Sequence, residues 1–206
     1  MRDNISDENK RDENKRDEEK IEKNSQNGFV ITGTRLRFIT YTAMMLALTI
    51  VVQNLRLLIG SNWYSTVIIG TLINFILLFS SEKVGVWGSV IIAVIAPIIA
   101  TFQGHISPIH LAPVVVIGNL IFPLVYWYLK KINSWLAVGI GAIAKSAFLF
   151  FAVKMVIDTL IIPNANNANV MSLATSAQYT WPQLLTACLG GVIFLMFRDA
   201  LLSHNS

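Results

Sequence analysis

Six apolar stretches, separated by short polar breaks, follow one another between residues 38 and 197 of the chain. Crossing a hydrocarbon core of roughly 30 Å takes about 20 residues of helix. Backbone groups in lipid must be satisfied within the segment itself, so runs of this kind form helices. The stretches are residues 38–58, 66–79, 86–102, 111–129, 135–162 and 181–197. The pattern predicts an all-α, polytopic membrane protein with about six transmembrane helices.

The lengths of these stretches are uneven. The second is short, and we expect it to extend over residues 63–65 and 80–81. The fifth is longer than a bilayer requires, so it must tilt or protrude.

Charge divides the chain into two parts. Of 206 residues, 54% are hydrophobic and 14% are charged, and residues 1–34 carry seven Lys or Arg and nine Asp or Glu. The remaining residues carry nine Lys or Arg and three Asp or Glu. Because the first segment has too few apolar residues to bury a core, we expect a disordered cytoplasmic tail over residues 1–34. Residues 35–206 then form the six-helix membrane domain.

The positions of the basic residues predict the orientation in the membrane. Basic residues accumulate in cytoplasmic loops, and an N-terminus inside the cell places six of them there: Arg35, Arg37, Lys83, Lys130, Lys131 and Arg198. We therefore expect both termini in the cytoplasm and a multi-pass protein of the plasma membrane. Segments 60–65, 103–110 and 163–180 then lie outside, and the last is either a cover over a site or a solvated connection.

Motifs for catalysis are not visible in the sequence. There is no phosphate-binding G-x-x-x-x-G-K-[ST] loop and no H-E-x-x-H, and His105 and His110 do not have metal-ligand spacing on one helix face. The single Cys188 lies in an apolar run and is expected to serve packing. We expect binding and transport rather than an enzyme, with no metal, no cofactor and no nucleic-acid partner.

Three polar residues share one depth in the predicted bundle. Lys145 is about ten residues into the fifth run, or about 15 Å deep, and Asn74 and Asn119 reach a similar depth from the other end. Ionisable groups in a membrane are costly and usually functional. These three side chains either bind substrate or hold helices together by hydrogen bonds.

Further candidate substrate contacts lie near the predicted outer face, and they are Asn54, Arg56, Gln103, His105 and Lys154. Gln53 lies among them without an assigned role. Arg56 either holds a substrate carboxylate or extends to lipid headgroups. Lys154 and Asp158 are four residues apart, so they either face a ligand or neutralise each other.

The first helix carries small residues one turn apart, at Ala43 and Ala47. Small residues at this spacing let a second helix approach closely. Together with the basic lead-in at residues 35–47 (RLRFITYTAMMLA), they resemble the first helix of the substrate-capture (S) subunits of energy-coupling factor (ECF) importers. Residues 96–119 (APIIATFQGHISPIHLAPVVVIGN) also look like the third-to-fourth helix region of that family.

The resemblance covers residues 35–198, and its size, span number and termini fit the same family. It implies a vitamin or similar micronutrient as ligand, bound near the outer face. It also implies two kinds of protein partner in addition to the lipid bilayer: a transmembrane scaffold subunit, which Ala43 and Ala47 would contact, and two ATPase subunits. Ligand motifs of the riboflavin, thiamine and biotin members are not matched. Buried basic groups outnumber acidic ones, which favours an anionic ligand.

Two other classes compete with this interpretation. A stand-alone secondary transporter would show inverted repeats and ion-coupling acids, which are not visible in the sequence. A non-transporting membrane scaffold would need no lysine at mid-membrane depth. Co-purification with ATPase subunits separates the capture subunit from both.

Overall fold

The computed structural model describes residues 33–60, 62–103, 109–161 and 168–203, together with Lys15. Its six α-helices are α1 (Gly33–Ile59), α2 (Trp63–Lys83), α3 (Val86–Phe102), α4 (Ala112–Leu129), α5 (Ser134–Val156) and α6 (Ala168–Ser203). A 3-10 turn (Ile109–Leu111) precedes α4, and a π-helical turn (Ile157–Ile161) continues α5. The described part of the chain contains no strand. The prediction of an all-α protein is confirmed.

Five of the helices are long and apolar enough to cross a membrane, and α3, with 17 residues, is apolar but shorter. The protein is therefore a polytopic, multi-pass membrane protein. The chain divides into two compact units, Met1–Ile39 and Thr40–Ser206. The described part of the first consists of Lys15 and the opening residues of α1, so the predicted disordered tail falls almost entirely outside the described residues.

The predicted runs correspond closely to the helices. The third run coincides with α3, and the second gains the flanking residues that we expected. The last helix is longer than predicted: the apolar run was expected from residue 181, but α6 begins at Ala168. The external segment 163–180 is therefore not a solvated connection throughout. Its helical part packs on the bundle, where Ser176 is fully buried and Tyr179 lies against a cluster around Leu149.

Helices α2 to α6 form a closed ring. Each packs against the next in the chain, and α6 returns to pack against α2. The centre of one side is an apolar cluster from α2, α4, α5 and α6 that includes Leu78, Phe122, Val138 and Phe194. Tyr126 meets Phe194 edge to face, with ring centroids 5.4 Å apart. Burying aromatic and aliphatic side chains in this way fixes the relative positions of four helices.

Glycine allows α6 to approach α2 closely. A Cβ at Gly190 would stand 2.5 Å from the carbonyl oxygen of Thr71 and 3.0 Å from the Cβ of Asn74. Gly139 of α5 differs, because a Cβ there would meet nothing within 4 Å. The backbone contact at Gly190 therefore requires glycine, whereas Gly139 tolerates a larger residue.

Helix α1 packs against the outside of the ring through a narrow seam. Its buried residues recur at three- and four-residue steps, as expected for one helical face, and they are Thr42, Met45, Thr49, Val52 and Gln53. Met45 and Val52 join an apolar cluster with residues of α2 and α3. Ala43 and Ala47 lie outside this seam and are exposed.

Candidate functional site

A cavity of about 340 Å³ lies inside the bundle and receives residues from all six helices. Its volume is within the range of small-molecule sites, roughly 300–1,000 Å³. The apolar part of the wall includes Ile69, Ile73 and Val115, with small residues on α3 at Ala96 and Ala100. The polar lining residues are Gln53, Arg56, Thr66, Asn74, Asn119, Lys145, Tyr179 and Gln183.

Lys145 is the most deeply buried charged residue of the cavity wall, with 1% of its surface exposed. Its ammonium nitrogen donates to the Oδ1 of Asn74 at 2.8 Å and to the Oδ1 of Asn119 at 2.9 Å. The nitrogen also lies 5.8 Å from the centroid of the Phe122 ring. Helices α2, α4 and α5 thus meet at one buried hydrogen-bonded group, which confirms the polar network predicted from equal depths.

Asn74 is held in place by further contacts. Its amide nitrogen donates to the carbonyl oxygen of Gly70 at 2.9 Å and to the hydroxyl of Thr186 at 3.2 Å. These bonds fix the amide orientation, so that the oxygen faces Lys145. Thr186 belongs to α6, and the network therefore extends to a fourth helix.

A lysine ammonium has three N–H donors. The described contacts of Lys145 account for two of them, both to asparagine oxygens. Lys145 is also one of the residues that line the cavity. Isolated buried charges are strongly unfavourable, so an acceptor in the cavity would stabilise this group further.

Arg56 and Gln53 form a second polar group, one helical turn apart on α1. The Nη2 of Arg56 donates to the hydroxyl of Thr66 at 3.3 Å, while its Nε is buried and has no hydrogen-bond partner among the described residues. The Nε2 of Gln53 donates to the carbonyl oxygen of Ala96 at 3.0 Å, and its Oε1 is likewise buried without a described partner. Both residues line the cavity, but these two unpaired atoms are buried in the surrounding protein.

The cavity has basic residues in its wall and no described acidic ones. Among the described lining residues, Arg56 and Lys145 are basic and none carries a carboxylate. The nearest acids along the spans are engaged elsewhere: Asp158 binds Lys154 at 2.6 Å and Glu82 binds Lys130 at 2.8 Å. A cavity of this kind favours a ligand that brings negative charge or hydrogen-bond acceptors.

The structure brings together four of the eight predicted substrate contacts, namely Arg56, Asn74, Asn119 and Lys145. Asn54 and Gln103 do not line the cavity; the Nε2 of Gln103 donates to the Oδ1 of Asn54 at 3.3 Å, and Asn54 donates to the carbonyl oxygen of Ile50.

Lys154 also lies outside the cavity wall, in its ion pair with Asp158. His105 falls outside the described residues. For these positions, as for the four in the cavity, a role in substrate binding stays a prediction.

Sequence reasoning left four polar lining residues unassigned: Gln53, Thr66, Tyr179 and Gln183. The spacing of Gln53 from Arg56, one helical turn, was a usable signal for a shared face. Tyr179 was placed in an external segment, and Gln183 follows Pro182 at the start of the last apolar run. The early start of α6 is what brings both to the cavity.

Comparison of the chain with protein-family models, curated proteins and solved structures gives no match. The class of protein is therefore defined by fold and site alone. It is a polytopic helical membrane protein that encloses a small, partly apolar cavity lined by two basic residues.

Proposed function

We propose that this protein is the substrate-capture subunit of an ECF-type importer in the plasma membrane. In this role it binds a small, vitamin-like anionic micronutrient from the outside. It then delivers the molecule through a transmembrane scaffold subunit driven by two ATPase subunits. The observation that carries the proposal is the cavity itself, in which Lys145 is buried on two asparagine oxygens and no described lining residue is a carboxylate.

The cavity supports solute binding over a purely structural role. A helix bundle that only scaffolds other proteins gains nothing from an internal space of about 340 Å³, since empty volume costs packing interactions. Polar side chains from five helices line that space, which suits a molecule that forms hydrogen bonds.

The outer face of α1 supports docking to a partner helix. Ala43 and Ala47 are exposed one turn apart and away from the seam that holds α1 to the bundle. Small side chains there would permit the close helix contact that the resemblance to capture subunits implies. The sequence has no phosphate-binding loop, which suits a subunit that leaves ATP hydrolysis to its partners.

Ligand binding is tested on the purified chain by native mass spectrometry, which identifies a retained small molecule, followed by titration of that molecule. Lys145→Met should weaken its binding roughly ten- to more than a hundredfold, because a charge-assisted hydrogen bond is lost. Lys154→Met is the matched control, since Lys154 lies outside the cavity wall, and it should bind as the wild type does. Equal affinity in all three proteins would contradict a ligand site at Lys145.

Coupling is tested separately by uptake and by co-purification with ATPase subunits. Ala43→Trp and Ala47→Trp should abolish uptake and leave ligand binding intact, because a bulky side chain blocks helix approach without reaching the cavity. Ile143→Trp is the control, since Ile143 of α5 is also exposed, at 63%. Normal uptake with both alanine variants, or uptake without any ATPase partner, would argue for a stand-alone transporter.

A further inference from the structure

The wall of the cavity is not equally firm on all sides. Helices α2 to α6 pack extensively against one another, whereas α1 has only sparse backbone contacts with any other described helix. Of the five helices that are long enough to span a membrane, α1 has the smallest share of its apolar segment buried in the protein, 28% against 33% to 50% in the others. Yet α1 supplies Gln53 and Arg56 to the cavity wall. The most loosely attached helix therefore closes one side of the cavity.

One end of the cavity is closed by a tightly packed core. Leu78 of α2, and Phe122 and Tyr126 of α4, follow the cavity residues along these helices and have no exposed surface. At the next turn Glu82 of α2 binds Lys130, which directly follows α4, at 2.8 Å. Fully buried side chains with an ion pair beyond them leave no passage for a solute in this direction.

Glycines bring neighbouring helices of the ring into very close contact. Gly190 of α6 meets the backbone of α2, and a Cβ at Gly191 would overlap the Cγ1 of Val138 on α5. On the other side of α5, a Cβ at Gly141 would stand 3.0 Å from the ring of Phe122 on α4. Helices packed this closely lose many van der Waals contacts when they separate. Parting these ring helices therefore costs more than displacing α1.

The seam between α1 and the ring has several unpaired polar atoms. Thr42, Gln53 and Arg56 of α1 each have a buried side-chain atom without a hydrogen-bond partner among the described residues. Gln103, which donates to Asn54 of α1, has one as well. A buried polar group without a partner destabilises the arrangement that buries it. These atoms therefore lower the free energy that is needed to move α1 away from the ring.

We infer that α1 is the movable wall of the cavity, and that a solute enters and leaves when α1, from Thr40 onward, moves as a rigid body away from α2 and α3. This part of the helix contains no proline or glycine, so it has no sequence feature that causes a bend. Gly60, directly after α1, has a φ of +87° and provides a hinge. A partner docked at Ala43 and Ala47 would act on the same movable helix. The inference holds for any solute, so its failure would leave the proposed function standing.

The experiment measures how often the cavity wall becomes accessible, with N-ethylmaleimide as the probe. Cys188 is the only cysteine of the chain, so Ala96→Cys in a Cys188→Ser background leaves one thiol. Ala96 lines the cavity and is 1% exposed. The full chain is placed in lipid nanodiscs, and the labelling rate at a fixed reagent concentration is followed by mass spectrometry. When α1 closes faster than the thiol reacts, this rate is proportional to the population of the open state.

Variants of the seam should change the labelling rate in both directions. Met45 and Val52 pack α1 against α2 and α3, and neither residue lines the cavity. Met45→Ala and Val52→Ala should each speed labelling by at least about fivefold, because the closed state loses contacts that the open state lacks. Thr42→Val removes an unpaired buried hydroxyl from the closed state and should slow labelling by at least about threefold.

Two truncations within the ring are the matched controls. Leu195 is fully buried in the cluster around Phe122, and Leu149 is 1% exposed in the cluster that packs against Tyr179. Leu195→Ala and Leu149→Ala should lower the melting temperature and leave the labelling rate within about twofold of the parent. The inference is overturned if Leu149→Ala speeds labelling as much as Val52→Ala does, since the cavity would then open between ring helices. An equal effect of Leu195→Ala, unchanged rates in the seam variants, or a parent thiol as reactive as free cysteine would overturn it too.

Discussion

Replacing Gly190 by alanine should destabilise the protein and disturb the cavity together. The added Cβ would stand 2.5 Å from the carbonyl oxygen of Thr71, and 3.0 Å from both the amide nitrogen of Phe75 and the Cβ of Asn74. An ordinary contact between carbon and a carbonyl oxygen is about 3.3–3.6 Å. Helix α6 would therefore have to move away from α2 by about 1 Å. Two of the atoms in contact belong to the backbone, so a rotamer change cannot relieve the clash.

The expected magnitude follows from two opposing effects. Overpacking of a core costs about 1–3 kcal/mol and occasionally more. In the opposite direction, alanine in place of glycine within a helix stabilises the folded state by up to about 1 kcal/mol. We expect a net loss of roughly 1–3 kcal/mol, because the clash at Gly190 involves backbone. For a chain of this size each kcal/mol corresponds to about 2–4 °C in melting temperature.

Thermal unfolding in detergent measures this effect, with Gly139→Ala as the matched control. A Cβ at Gly139 meets nothing within 4 Å, so that variant should melt at or slightly above the wild-type temperature. Gly190→Ala should also bind ligand more weakly, since the Asn74 oxygen that accepts from Lys145 would be displaced. A Gly190→Ala protein as stable as Gly139→Ala would refute the argument that glycine sets the spacing between α2 and α6.

Three further predictions concern hydrogen bonds seen in the structure. Lys145→Met and Asn119→Leu should each lower the free energy of unfolding. In the double variant the loss should be smaller than the sum of the two single losses by about 0.5–3 kcal/mol, measured by thermal or denaturant unfolding. Strictly additive losses would mean that the hydrogen bond between the two side chains contributes nothing. Ser89→Ala removes a buried bond of 2.8 Å to the carbonyl of Leu77 and should lower the unfolding free energy by about 1 kcal/mol, whereas an unchanged melting temperature would contradict it. Asn133→Ala removes the side chain that caps α5 and should lower the free energy of unfolding by about 0.5–2 kcal/mol in the same assay. Asn133→Asp is the control, because aspartate retains the cap.

Much of the fold followed from hydrophobicity alone, because the bilayer admits few alternatives. The third run and α3 share both ends, and the other runs differ from their helices mainly at the termini. The start of α6 could not be predicted in this way. Segment 163–180 has four Asn, two Ser and two Thr, a composition typical of loops. Its residues from Ala168 onward are nevertheless helical, and this part packs on neighbouring helices.

The part of the candidate site that depends on depth in the membrane could be predicted from the sequence. Counting residues brought Lys145, Asn74 and Asn119 to one level, and they are hydrogen-bonded there. Depth does not determine which way a side chain faces around its helix. For that reason the sequence left open whether Lys154 faces a ligand or pairs with Asp158, and the structure shows the pair.

The shortness of α3 has a consequence for the surrounding lipid. Its 17 residues span about 26 Å, a few ångströms less than an average hydrocarbon core of about 30 Å. Bilayers respond to such a mismatch by thinning locally, at fractions of a kcal/mol per Å. Ala96 and Ala100 of this helix form part of the cavity wall, so local membrane thickness acts directly on the wall of the cavity. Solute affinity measured in bilayers of increasing acyl-chain length should therefore decline, which makes lipid composition a determinant of binding in this protein.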